Sequence, residues 1–473
     1  MKNTFTFFIL FIILNINFTK VCQAQEFSEH LIANNYNSWS TLAIDMDNDE
    51  DIDIVGSSRI GNKVAWWEND GSENFTEHVI STTAWYAMVV SAADMDGDED
   101  IDIVCAAQEA DAVLWWENDG SQDFTQHVAA NIISPSYIYL ADVDSDEDQD
   151  ILVAACEDNS NKIVWLENTG QTSFTTHIIK ENWDHANSIF AADMDSDGDM
   201  DVLATASFRT ATQNGEVSWF ENDGEQNFSE QNIINNYGRP SCAIATDIDN
   251  DGDMDVIASV CVLHRIILFE NDGLQNFTNN IITTNFFRPH SVFAADMDND
   301  GDQDILGAAI NLNQIAWFEN DNNDFTKQIV SNTFDGATCV YAEDIDSDGD
   351  QDILGAAQFG NQIKWWESDL TTGIGDNNYS LLNKNLNLFC YPNPSGSVST
   401  FTYTLYEKSQ VVLKIINSKG QEIKTLVNDP QSSGEKFVTW DGTDINKKKV
   451  SSGIYYYTLK AGNNIVSRKI IKF

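Results

Sequence analysis

Carboxylates recur in this chain at a spacing that calls for a cation. The pattern D-x-D-x-D-x-D-x-D occurs seven times: Asp45, Asp47, Asp49, Asp51 and Asp53; Asp94, Asp96, Asp98, Asp100 and Asp102; Asp142, Asp144, Asp146, Asp148 and Asp150; Asp193, Asp195, Asp197, Asp199 and Asp201; Asp247, Asp249, Asp251, Asp253 and Asp255; Asp296, Asp298, Asp300, Asp302 and Asp304; Asp344, Asp346, Asp348, Asp350 and Asp352. Five carboxylates in nine residues repel one another unless a positive ion sits among them. Calcium takes about six to eight oxygens at roughly 2.3–2.6 Å, and a tight loop offers them from side chains at positions 1, 3, 5 and 9 and the carbonyl at position 7. In the fourth copy these are Asp193, Asp195, Asp197, the Asp199 carbonyl and Asp201. The expected cofactor is Ca2+, up to seven ions. The loop is not an EF-hand, because position 12 is Gly56, Cys105, Val153, Ala204, Ala258, Gly307 or Gly355 and never the bidentate Glu.

The residues around each loop say what holds it. Runs such as Ser291-Val292-Phe293-Ala294-Ala295 before a loop and Ile305-Leu306-Gly307-Ala308-Ala309 after it are apolar and short, as buried strands are. Each loop therefore joins two antiparallel strands. Further on comes an aromatic strand and turn, as in Trp66-Trp67-Glu68-Asn69-Asp70-Gly71, and Asn-Asp-Gly there is hairpin chemistry. A fourth strand follows at Phe75-Thr76-Glu77-His78-Val79-Ile80 and its relatives at Phe124, Phe174, Phe228, Phe277 and Phe325. Four strands in a period of about 50 residues make one propeller blade. The seventh copy ends at Asp369 without a Phe-Thr strand, while Phe27-Ser28-Glu29-His30-Leu31-Ile32 stands alone before the first loop. Pairing the two closes a ring of seven and removes the open edges that make sheets aggregate.

These repeats resemble the FG-GAP or VCBS family, over residues 25–369. The resemblance implies an integrin-like seven-bladed propeller whose Asp loops bind calcium. Three copies depart from the pattern, placing Glu50, Glu99 and Glu147 where Gly198, Gly252, Gly301 and Gly349 stand in the others. A backbone position that favours positive φ is costlier for Glu than for Gly.

Both ends of the chain carry separate signals. Residues 1–24, with Lys2, the apolar run Phe7–Leu14 and Cys22-Gln23-Ala24, read as a secretory signal, and the run is too short to span a bilayer. Residues 370–386 read as a linker. The tail 387–473 is basic, with 12 Lys and Arg against 6 Asp and Glu, in a chain of formal charge −50. It alternates like a small Ig-like β-sandwich, with strands expected at 401–406, 411–416, 437–440, 454–459 and 465–471. Tyr391-Pro392-Asn393-Pro394, Gly420, Trp440-Asp441-Gly442 and Gly453-Ile454-Tyr455 resemble the type A sorting domain of the type IX secretion system of Bacteroidetes. That resemblance implies the secretion machinery as a partner and export to the cell surface or medium; the alternative is an Ig-like binding module. The expected fold class is all-β, a propeller plus a sandwich.

Strong acidity argues against nucleic acid and anionic membranes as partners. Cys242 and Cys261 flank one Asp loop, and the spacing is consistent with either a disulfide or two thiols. The chain has six Arg, and Arg59, Arg209, Arg239, Arg265 and Arg288 all fall on the rim opposite the Asp loops. So do His185, His264 and His290, beside Trp39, Trp85, Tyr86, Tyr137, Trp183, Tyr237 and Phe287. Arg forks and ring faces there suit a carboxylated or sulfated sugar. Two functions follow: a non-catalytic module for an extracellular glycan or protein, or a polysaccharide lyase using His185, His290 or Tyr237 as base and Arg239 against a uronate carboxylate.

Overall fold

The computed structural model describes residues 26–156, 161–170, 173–207, 214–369, 388–391, 399–405, 408–417, 422–432, 434–445, 447–451, 453–461 and 464–472. The expected signal segment, the linker 370–386, Arg209, Pro392, Asn393, Pro394 and Gly420 lie outside them. Two compact units divide the chain, Met1–Thr372 and Gly373–Phe473.

Each Asp period folds into a four-stranded antiparallel sheet. In blade 1 the strands, from the axis outward, are a (Ser38–Ile44), b (Asp53–Ser58), c (Lys63–Asn69) and d (Phe75–Ser81). Strand b is buried along its whole length in every blade, because neighbouring blades cover both of its faces. That is why its sequence is a continuous apolar run rather than an alternation. Strand c sends successive rings to opposite sides, as the two-residue pleat requires. Trp66 packs with Val90, Cys105 and Trp116 of blade 2, and Trp67 with Leu354 and Trp365 of blade 7.

Ring closure uses the two ends of the repeat array. Blade 7 has strands a (Ala337–Glu343), b (Asp352–Ala357) and c (Gln362–Asp369), and its strand d is Glu26–Asn34 from the start of the described chain. The register runs from Glu26 opposite Asp369 to Asn34 opposite Gln362, with one irregularity between Leu31 and Ala33. Ala33 and Tyr36 then join a buried cluster with Ile54, Trp67, Leu354 and Trp365, tying blade 7 to blade 1. The seven-bladed propeller is thus complete.

The second unit is a two-sheet sandwich. One sheet orders Leu388–Tyr391, Ser399–Leu405 and Gly434–Trp440; the other orders Glu422–Gln431, Ser409–Asn417, Gly453–Ala461 and Asn464–Lys472. Phe401, Leu413, Trp440, Tyr457 and Leu459 fill the space between. Two strands escape sequence reading. Leu388–Tyr391 is only four residues long, and Glu422–Gln431 contains Asn428-Asp429-Pro430, which reads as a turn. Pro430 is tolerated because its strand lies at the sheet edge, where one side of the ladder needs no donor.

Candidate functional site: an acidic rim and an arginine-lined axial cavity

The Asp loops are built around two of their own carboxylates. Position 9 is fully buried, and its two oxygens accept backbone N–H groups: Asp53 takes Met46 N–H at 2.9 Å and Asn69 N–H at 2.7 Å. The six other copies repeat this pair, for example Asp201 with Met194 and Asn222. Burial pushes these carboxyls up, to about 7 for Asp53, Asp102, Asp201, Asp255 and Asp304, about 6 for Asp150 and about 8 for Asp352. Position 1 holds the loop's other end: Asp45 accepts the N–H groups of Asp49 and Glu50 at 3.1 and 3.0 Å.

The residue at position 6 adopts positive φ in all seven loops. It is 74°, 75° and 75° for Glu50, Glu99 and Glu147, and 98–101° for Gly198, Gly252, Gly301 and Gly349. A Cβ at any of those four glycines meets nothing within 4 Å, so Glu is accommodated with backbone strain but no clash. All seven loops keep the same bond from this N–H to the position-1 carboxylate, at 3.0–3.1 Å. Position 7 turns its carboxylate against the Asn-Asp-Gly turn, where a Cβ on Gly71 would stand 2.4 Å from Asp51 Oδ2. That Gly is required twice over, by its φ of 71° and by this approach.

Position 3 is less fully satisfied: in loops 5 to 7 its Oδ1 accepts the position-5 N–H at 3.1–3.2 Å, and in the other four it accepts none. Asp47, Asp96, Asp144 and Asp195 each keep one Oδ1 buried without a hydrogen bond. Burial first, and then the neighbouring acids, raises these carboxyls above their usual range. Oxygens of positions 1, 3 and 5 in two loops, and of positions 1, 3 and 9 in two others, lie within 4.8 Å of one another. A buried carboxylate oxygen aimed at other carboxylates is what a hard cation satisfies, so these residues fit calcium.

At the opposite end of the ring, an irregularity at the start of each strand a turns side chains toward the axis. The register shifts between Ser38 and Ser40, Pro135 and Tyr137, Ala186 and Ser188, Pro240 and Cys242, Pro289 and Ser291, and Ala337 and Cys339, with a longer one in blade 2. Bulges re-aim side chains in this way. The turned residues bond across blades: Ser136 donates to Ala186 O at 2.8 Å, Ser241 to Pro289 O at 2.9 Å, and His290 Nδ1 to Thr338 O at 2.8 Å.

The result is an axial cavity of about 820 Å³. Its wall includes Arg59, Arg239 and Arg288, His185 and His290, and Trp39, Trp85, Tyr86 and Tyr137. Arg59 is held between two rings, 4.3 Å from the Trp39 centroid and 4.2 Å from that of Tyr86. Among the described residues none of the three guanidinia pairs with a carboxylate, and the Nε atoms of Arg59 and Arg239 are buried without an acceptor. Burial first, then Arg288 and Arg59, depresses His290 to about 4.

Several rim residues singled out in the sequence do not line the cavity. Trp183 is buried edge-on against Phe220 in the core between blades 3 and 4. Tyr237 packs on blade 5's core and accepts a hydrogen bond from Arg265 Nη1 at 3.1 Å, which occupies both residues. His264 stacks on Phe287 at 4.5 Å and accepts the Arg288 N–H. Conversely, sequence reading passed over Glu109, Asp111, Cys156, Cys242, Cys261 and Cys339 as cavity-lining groups. The signal for Cys242 and Cys339 was there, since both hold the third position of a strand a. Cys242 and Cys261 are thiols; Cys242 faces Ser259 in the ladder.

Comparison with known proteins agrees with this architecture. An FG-GAP-like repeat model matches residues 45–105, 94–153, 142–204 and 208–258, and a FlgD Ig-like domain model matches residues 394–464. No curated protein sequence matches the chain. Similar solved structures include a fungal alcohol oxidase of the AA5 family in complex with copper, at 10% identity and TM-score 0.52, covering 95% of this chain and 100% of that one. Another is PorZ of Porphyromonas gingivalis, a surface component of the type IX secretion system, at 11% identity and TM-score 0.49 over 93% of this chain. The chain spans 59% of the PorZ structure's length. A functionally unknown protein from Desulfotomaculum acetoxidans matches at 13% identity and TM-score 0.46, over 66% of this chain and 90% of that one.

Proposed function

We propose that this protein is an exported, calcium-loaded propeller that binds an anionic ligand, a uronate-bearing or sulfated glycan, in its axial cavity. The observation that carries the reading is the set of Arg59, Arg239 and Arg288, three guanidinia without a carboxylate partner among the described residues, converging on one cavity in a chain with 75 Asp and Glu. A guanidinium fork matches carboxylate and sulfate geometry, and an aromatic sandwich such as Trp39–Arg59–Tyr86 fixes its plane in advance. Trp85, exposed by 57%, adds a stacking face at the mouth.

Calcium enters this reading through the Asp loops. Positions 1, 3, 5 and 9 would hold the ion with the position-7 carbonyl, and position 9 also anchors the loop through its two backbone hydrogen bonds. The ion neutralises the acidic rim and stiffens the ends of strands a and b. Export is supported by the apolar leader at the chain start, and delivery by the type IX machinery rests on the tail's sorting motifs. No helix among the described residues is long and apolar enough to cross a membrane.

The lyase reading has weaker support. His290 Nδ1 is engaged with Thr338 O, and a pKa of about 4 makes a poor base for abstracting a sugar proton. A glycan array run beside an absorbance assay for unsaturated uronate separates the cases. Binding to acidic glycans without product formation is expected; product formation, or binding only to neutral glycans, contradicts it.

A further inference from the structure

Where the ring closes, a third kind of cluster appears. His30 on strand d of blade 7 directs Nε2 to Glu367 Oε2 on strand c at 2.8 Å. Glu73, from the c–d turn of blade 1, brings its carboxylate to the same place, so that one atom from each residue lies within 4.8 Å of the others. His30 is stacked on Trp365 at 4.5 Å, which fixes the ring plane. Glu73 sits at a φ of 59°, and its N–H is held by Asn69 Oδ1 at 3.1 Å, which fixes the turn.

The other blades show what is special here. His78 with Glu68, His127 with Glu117 and His177 with Glu167 repeat the imidazole–carboxylate pair at 2.6–2.7 Å. The same left-handed turn position carries neutral Gln122, Gln226 and Gln275 in blades 2, 4 and 5. Among the described turns only the one at the seam carries a carboxylate at this position, and among the described residues no Lys or Arg pairs with Glu73. In a chain of formal charge −50, placing an acid there without a cation is repulsive.

We infer that His30, Glu73 and Glu367 form a binding site for a divalent transition ion, zinc by preference, that clips blade 7 to blade 1. The donor set differs from that of the Asp loops. One imidazole and two carboxylates suit a borderline-soft ion, whereas the all-oxygen loops suit calcium. Tetrahedral zinc at about 2.0–2.2 Å from each donor needs the three atoms roughly 3.4 Å apart, with water as the fourth ligand. Binding would open the His30–Glu367 contact from 2.8 Å and draw Glu73 inward from within 4.8 Å. The ion would bind the closed ring and not the opened one, and so would stabilise closure by mass action.

The repeat itself supplies fold-neutral variants for the test. Glu73→Gln copies the neighbouring blades, and His30→Gln copies Gln231 and Gln328 of blades 4 and 6. Zinc is titrated calorimetrically into the untagged protein, with millimolar calcium present to hold the Asp loops. The parent is expected to bind one zinc ion and to melt higher with it. Either variant should lose at least tenfold in affinity and all of the zinc-dependent shift, while melting like the parent without zinc. Gln122→Glu, which places an acid beside His78 and Glu68, should bring the count to two. Equal zinc affinity in the parent and in Glu73→Gln, or no zinc bound by the parent at micromolar concentrations, would overturn the assignment.

Discussion

Burial, reinforced by the guanidinia of Arg288 and Arg59, holds His290 near pKa 4, so its imidazole is neutral at physiological pH. An unfolded chain protonates the same imidazole below about 6.5, while the folded protein resists down to about 4, so folding stability contributed by the neutral ring is lost as pH falls between those values. Replacing His290 by Gln keeps a donor for Thr338 O and removes the titration. Between pH 7 and pH 4 the parent should therefore lose about 3 kcal/mol more than His290→Gln. Urea unfolding of both proteins at the two pH values, with calcium present, measures this; equal losses would mean that the imidazole is not buried as described. Arg59 and Arg239 stand in the same cavity wall with Nε buried and without an acceptor, a need that an anionic ligand meets.

The Asp loop is the element that repeats most faithfully, and its two halves have different work. Positions 1 and 9 hold the loop with backbone hydrogen bonds, and in four of the seven loops position 3 leaves a buried oxygen with nothing to accept. Removing calcium should therefore expose mutual repulsion among loops that remain folded by their own hydrogen bonds. Seven sites at near-millimolar affinity, each adding about 1–3 kcal/mol when saturated, predict a fall in melting temperature of about 10 °C or more in EDTA. Differential scanning calorimetry with and without chelator reads it; superimposed curves would contradict calcium binding. The loops were legible in sequence because their chemistry is local, five acids in phase with apolar strands. The cavity was only half legible. Arg239, Trp183 and Tyr237 all sit in connections between blades, but Arg239 faces the axis while Trp183 and Tyr237 turn into the core. Connections carry no period from which a direction is read. The strand-a column, Tyr137, Cys242, Ser291 and Cys339, each third in its strand, does carry one, and the bulge that aims it has no sequence mark of its own.

As a whole molecule the propeller depends on one strand that is distant in sequence from its partner. Glu26–Asn34 covers the outer edge of Gln362–Asp369, and Tyr36 seals the core behind it. Deleting residues 26–34 should leave the aromatic strand c of blade 7 unpaired and produce aggregation. Light scattering of the deletion variant checks this, and a monomer that melts like the parent would show that closure does not need the strand. The ring in turn gathers Arg59 from blade 1 and Arg239 and Arg288 from the connections into blades 5 and 6, which no single blade could do. Calorimetric titration of calcium-loaded protein with a uronate or sulfated oligosaccharide tests that assembly most directly. The account predicts saturable binding that weakens by about 1.5–3 kcal/mol in Arg239→Ala and in Arg59→Ala, with the melting temperature and calcium content unchanged. Absence of binding to every acidic oligosaccharide, or binding that survives removal of both arginines, would contradict it.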